Sequence, residues 1–103
     1  MLLFKKKYLE AIRSGRKTQT VRIWKHRRMR SGQRSYIPGV GYIDVISVEE
    51  IEIDDLDDDD AQRDGFASAA ELRRELTELY ADKLGDGYQA YRVIFQLRAR
   101  EEV

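Results

Sequence analysis

Cysteine is absent from the 103 residues, so disulfides and thiolate metal sites are excluded, which suits a reducing compartment. Histidine occurs once, at His26 among arginines, and gives neither a catalytic triad nor a zinc site the partners it needs. No apolar run approaches the ~18 residues of a membrane span. In the opening "MLLFKKKYLEAI" the lysines follow the apolar residues, the reverse of a secretion signal. A soluble, cytoplasmic protein with no membrane partner is expected. The single proline, Pro38, stands with Gly39 and Gly41 as a strand stop. "PGVGYI" is no phosphate-cradling loop, since it lacks both the Lys-Ser/Thr pair and the following helix. The acidic run "DDLDDDDAQRDG" lacks the spaced oxygens, central glycine and terminal Glu of a calcium loop. It reads as a helix start favoured by the helix dipole, and neither metal nor cofactor is expected. The length fits one domain, residues 1–103, with a small core.

What is present is charge, and it is segregated. Net charge is zero, yet from Lys5 to Arg34 the only acid is Glu10, among Lys5, Lys6, Lys7, Arg13, Arg16, Lys17, Arg22, Lys25, Arg27, Arg28, Arg30 and Arg34. From Asp44 to Asp64 the only base is Arg63, against Asp44, Glu49, Glu50, Glu52, Asp54, Asp55, Asp57 to Asp60 and Asp64. Such asymmetry points to a polyanionic partner; its alternative is that the two segments neutralise each other in the fold.

Phe4, Tyr8 and Ile12 recur at helical spacing, predicting a helix over residues 4–13 that Gly15 ends. Residues 18–24 alternate, with Gln19, Val21 and Ile23 on one side and Thr18, Thr20, Arg22 and Trp24 on the other, as in a half-buried strand. "KHRRMRSGQ" is a polar loop, "RSYI" a short strand, and residues 42–53 a long one whose phase shifts near Ser47, the mark of a bulge. A helix over 56–63 leaves at Gly65; a second, over 68–82, begins with Ser68 and Glu71 at capping-box spacing. "GDG" is a turn before a last strand over 88–99. The order predicts an α+β fold with a largely antiparallel sheet, curled into a small barrel to hide its edges.

Lys17, Thr20 and Arg22 gather where a strand begins after a helix-ending glycine. Thr20 and Arg22 share a strand face. Lys17, just before them, is placed to swing a solvent-reaching side chain over the same cavity. Trp24 and Tyr36 can stack on bases, as aromatics beside basic residues do in single-strand binders, or belong to the core.

"GRKTQTVR", residues 15–22, resembles the ASCH signature Gly-x-Lys-x-x-Glu-x-Arg at Gly15, Lys17 and Arg22, with Thr20 in place of Glu. The same departure occurs in small bacterial ASCH proteins that look like N4-acetylcytidine amidohydrolases, with Gly-Arg-Lys-Thr-x-Thr-x-Arg. "DDL…DA…DGF", "ELRREL…LY" and "YRVIFQL" extend the likeness over nearly the whole chain. The resemblance implies a PUA-like small β-barrel with flanking helices and a cleft for RNA or a nucleoside or nucleotide. Gly15, Arg16, Thr18, Arg22, Trp24 and Tyr36 are the candidate ligand-binding residues.

In the amidohydrolase-like branch the resemblance implies a catalytic lysine, threonine and glutamate. Lys17 and Thr20 match the first two, and Asp64, one methylene shorter, is the nearest candidate for the third. Thr20 would be the nucleophile, Lys17 its base and Asp64 the proton shuttle; a lysine serves as base where burial or a neighbouring cation lowers its pKa. Three readings stand: an RNA- or nucleotide-binding module, towards which the missing Glu tilts the balance; a small amidohydrolase; and, more weakly, a protein-binding regulatory domain. Against all three stands a fold role, in which Lys17 and Arg22 form salt bridges to the acidic segment. Lys5, Lys17, Arg22, Arg27, Arg28 and Arg30 are expected around the cleft, with Asp57 to Asp60 on a separate surface.

Overall fold

The computed structural model describes residues 1–83 and 86–98. A 3-10 turn, Lys6–Tyr8, leads into α1 (Leu9–Arg13). The helix starts later than its periodicity predicts because residues before Lys6 are drawn out straight. The Leu2 amide donates to the Tyr36 carbonyl at 2.9 Å, and Phe4 packs on Phe95 with ring centroids 6.0 Å apart. Strands β1 (Gln19–Trp24), β2 (Arg34–Ile37) and β3 (Gly41–Ile51) follow. The bulge falls as expected, with a register shift between Val45 and Ser47. The long strand stops at Ile51 rather than 53, because Ile53–Asp55 winds into a 3-10 turn that sends Leu56 into the core.

Helix α2 (Asp58–Asp64) is framed by its ends. Asp57 and Asp60 form a reciprocal capping box, and Gly65 leaves in the left-handed region at φ 90°. Ser68 caps α3 (Ala69–Tyr80), accepting from the Glu71 amide at 3.2 Å. Strand β4 (Gln89–Leu97) ends the fold; residue 99 of the expected strand and Gly85 of the "GDG" turn lie outside the described residues.

The four strands make one antiparallel sheet in the order β1-β4-β3-β2. Strand pairing among the described residues leaves β1 and β2 as edges, so the sheet is not seen to close into the expected barrel. The extended residues 2–4 cross between these edges. They take one hydrogen bond at Tyr36 on β2 and one from Arg22 on β1, whose guanidinium donates to the Leu3 carbonyl at 2.6 Å. Both faces of the sheet are covered. Leu2, Ile12, Ile37, Ile43, Val45, Val93 and Phe95 fill one core; Val21, Ile23, Leu56, Leu72, Leu76 and Ala90 fill the other, under α2 and α3. No helix among the described residues is long and apolar enough to cross a membrane.

Candidate functional site

The chain reaches the site through a tight turn. Ser14 and Gly15 close α1 with hydrogen bonds to Glu10 and Ile12, and Gly15 takes φ 82°, which a side chain would resist. The Lys17 amide bonds back to Ala11, and the Thr18 amide donates to the Arg63 carbonyl at 2.7 Å. Thus the start of β1 is sewn to the end of α2, which brings Lys17 against Asp64 across a sequence gap too long for local pattern to reveal.

Lys17 is only 3% exposed. This corrects the expectation of a solvent-reaching lysine: its ammonium lies under the sheet edge, enclosed by Phe4, Tyr8 and Phe66 at 5.7, 5.3 and 5.8 Å from the ring centroids. It donates to the Asp64 carbonyl at 2.6 Å and to Asp64 Oδ1. Asp64 is equally buried, and its Oδ2 has no hydrogen-bond partner among the described residues. Burial pulls the Lys17 pKa down, against the attraction of Asp64; burial pushes the Asp64 pKa up, against the attraction of Lys17. A Cβ at Gly65 would lie 3.8 Å from the Lys17 side chain, so the helix cap also shapes the lysine's wall.

Thr20 and Arg22 point to the same face of β1. Arg22 Nε donates to Thr20 Oγ1 at 3.1 Å, and its guanidinium lies 4.7 Å from the Phe4 ring centroid. Lys17, Thr20, Arg22 and Asp64 line a single cavity of about 170 Å³ beside the edge strand. The extended N-terminal residues wall one side and α3 the other, with Leu72, Glu75, Leu76 and Tyr80.

The other candidates lie apart from this lining. Gly15 shapes the turn. Arg16 is exposed beside it. Thr18 acts through its backbone. Trp24 packs on Tyr91 at 5.4 Å, joining the core, and Tyr36 on β2 meets Tyr42 of β3 edge-on at 5.0 Å. Arg27, Arg28 and Arg30 occupy the β1–β2 loop rather than the cavity, where Lys5 joins Lys17 and Arg22. The acidic run divides too. Asp57 to Asp59 are exposed, but Asp60 is buried and meets Gln19, Arg63 and Arg92. Part of the charge asymmetry is thus satisfied internally, by Lys17–Asp64 and by Asp60 with its arginines.

Sequence reasoning missed the aromatic enclosure and Glu75. Glu75 accepts from the Tyr8 hydroxyl at 2.8 Å, and burial together with that carboxylate raises the Tyr8 pKa. A signal existed: Glu75 stands within the apolar stripe of Leu72, Leu76 and Leu79, where a solvated helix would place no charge.

No family model matches the sequence, and no curated protein matches it. Two solved structures are similar. The hypothetical protein PH0355 aligns with a TM-score of 0.75 and 17% identity over 91% of this chain and 94% of that one. The protein EF3133 from Enterococcus faecalis V583, described under family DUF984, aligns with a TM-score of 0.66 and 19% identity over 94% of this chain and 75% of its own. These likenesses show a shared α+β fold.

Proposed function

We propose that the cavity hydrolyses a small amide on a planar, nucleoside-like substrate, N4-acetylcytidine being the test compound. The observation that carries this reading is the convergence of Lys17, Thr20 and Asp64 on one cavity. The resemblance of residues 15–22 to the ASCH amidohydrolase-like branch supports it. The aromatic walls offer a flat ring its stacking surface. The Thr20 hydroxyl attacks the acyl carbon and its proton passes to Lys17 as the neutral amine. Burial beside Arg22 favours that form. Asp64 holds Lys17 and exchanges protons with it. Arg22, already bonded to Thr20, stabilises the charge that develops on oxygen. The leaving amine takes the proton from Lys17, and water then frees the acyl group from Thr20.

Purified protein incubated with N4-acetylcytidine should release cytidine and acetate. Thr20→Val keeps shape and removes the hydroxyl, so release should stop while the circular dichroism spectrum is unchanged. Turnover undiminished in that variant removes Thr20 as nucleophile; no turnover in the wild type rejects this substrate. The kcat/KM should rise with pH through a midpoint below the ordinary lysine value of about 10.4, since the lowered pKa belongs to the base.

A second reading, binding of a nucleic acid strand, is favoured by a separate observation. Lys25, Arg28 and Arg30 are exposed in the β1–β2 loop, and no ion pair among the described residues joins that loop to the acidic segment. Met29, buried at the loop's centre, and the hydrogen bonds from Arg27 to Val48 and Ser31 to Ile46 hold this array in place. Affinity for a single-stranded RNA should fall steeply with salt through counterion release and weaken in the triple variant Lys25→Gln, Arg28→Gln, Arg30→Gln. Salt-independent binding, or none, removes the reading.

A further inference from the structure

We propose that Lys17 is a covalent capture site for small apolar aldehydes, an activity separate from amide hydrolysis and independent of Thr20. Three features of the site converge on it. First, the amine sits in a cavity whose wall around it is Phe4, Tyr8 and Phe66, so an apolar carbonyl compound finds both space and contact there. Second, the two acceptors met by Nζ are the Asp64 carbonyl and Oδ1. A neutral amine has two N–H bonds and one lone pair. With both N–H groups given to Asp64, the lone pair is left for an electrophile. Third, Asp64 lines the same cavity, and its Oδ2 is buried without a partner among the described residues, which makes it the receiver for the ammonium's extra proton. A desolvated lysine in an apolar pocket is the setting in which Schiff bases form, and the downward pull of burial on Lys17 agrees.

The step balances within the pair. Lys17 passes one proton to Asp64, and the nitrogen lone pair bonds to the carbonyl carbon. The C=O π pair moves to oxygen, which takes the proton back from Asp64 as the carbinolamine forms. Asp64 then accepts one of the two N–H protons left on nitrogen and delivers it to the hydroxyl, which leaves as water while the freed nitrogen lone pair forms the C=N bond. The last N–H proton stays on the imine nitrogen beside the Asp64 carboxylate. The product is a C=N bond between Lys17 and the former aldehyde, with no oxidant or reductant consumed.

The full chain should be incubated with acetaldehyde at neutral pH, quenched with sodium borohydride and mapped by peptide mass spectrometry. Reduction of the imine leaves one ethyl group on the trapped lysine. Exposed lysines such as Lys6 and Lys25 are controls within the same molecule. Lys17 should be ethylated about tenfold faster than either, and the advantage should vanish in urea. Labelling of Lys17 at or below the rate of Lys6 and Lys25 in the folded protein overturns the proposal.

Thr20→Val should retain capture, and loss of capture in a variant with an unchanged circular dichroism spectrum overturns independence from Thr20. N4-acetylcytidine is assayed on the same samples, so the two readings fail separately. Hydrolysis without trapping rejects capture alone, and trapping without hydrolysis rejects N4-acetylcytidine as a substrate alone.

Discussion

Replacing either member of the Lys17–Asp64 pair alone should cost about 3–5 kcal/mol of stability, whereas Lys17→Met with Asp64→Leu should be neutral or more stable than wild type by about 1–4 kcal/mol. A charge taken from water is compensated only while its partner remains, and here both side chains are almost wholly enclosed. The two pKa directions give the same sign. A raised Asp64 pKa means that this group favours folding below its unfolded value and loses that contribution as pH rises through the folded one. A lowered Lys17 pKa means that this group favours folding above its unfolded value and loses that contribution as pH falls through the folded one. While both groups are charged, the lost hydration of each opposes folding. The double variant removes that opposition and the site together. Urea denaturation of the four proteins at neutral pH closes the cycle. Single substitutions costing under about 1 kcal/mol, the range of exposed pairs, would show that water reaches the pair.

Asp60→Ala should be the most damaging substitution outside the cavity, at about 3–5 kcal/mol, because it strands a charge network rather than one contact. Arg92 straddles both carboxylate oxygens at 2.8 and 2.9 Å. Arg63 meets Oδ1 at 2.9 Å, the Gln19 amide meets it at 3.2 Å, and Oδ2 caps α2 at the Asp57 amide. Burial pushes the Asp60 pKa up, but the bonds from Arg92, Asp57 and Gln19 outweigh it and hold the pKa below the usual value. Its contribution is therefore present above the unfolded pKa and lost as pH falls through the folded one. The wild type should lose stability on acidification through that range, and Asp60→Ala should lose much less over the same range. Equal acid sensitivity in both proteins, followed by the urea midpoint, would assign the loss to other carboxylates. The network also ties Gln19 at the start of β1 to α2, so the variant should displace Asp64 and lower any activity of the cavity.

The local features were legible in the sequence because they depend on neighbours a few residues away. Alternation at Gln19, Val21 and Ile23, the phase slip near Ser47, the exit at Gly65 and the cap at Ser68 each express a rule of period or backbone freedom, and each is where that rule places it. The motif also marked Lys17, Thr20 and Arg22 as a group before any geometry was known, and Asp64 was marked by the likeness of its segment. What only the tertiary structure decided was burial and pairing. Nothing near residue 17 tells that Phe4, Tyr8 and Phe66 enclose its amine, or that the Thr18 amide binds the Arg63 carbonyl and so brings Asp64 within reach. Trp24 follows the motif in sequence yet turns to the core, since a strand carries successive residues about 3.3 Å apart and soon leaves a small cavity behind, while Tyr36 lies on β2 and meets Tyr42 of β3. Asp60 reads like its exposed neighbours Asp57 to Asp59, and only the packing of α2 on the sheet turns that one carboxylate inward to Arg92. Composition records that charges of both signs are present; which of them meet out of water is set by contacts between segments far apart in the chain, where desolvation makes each pairing count.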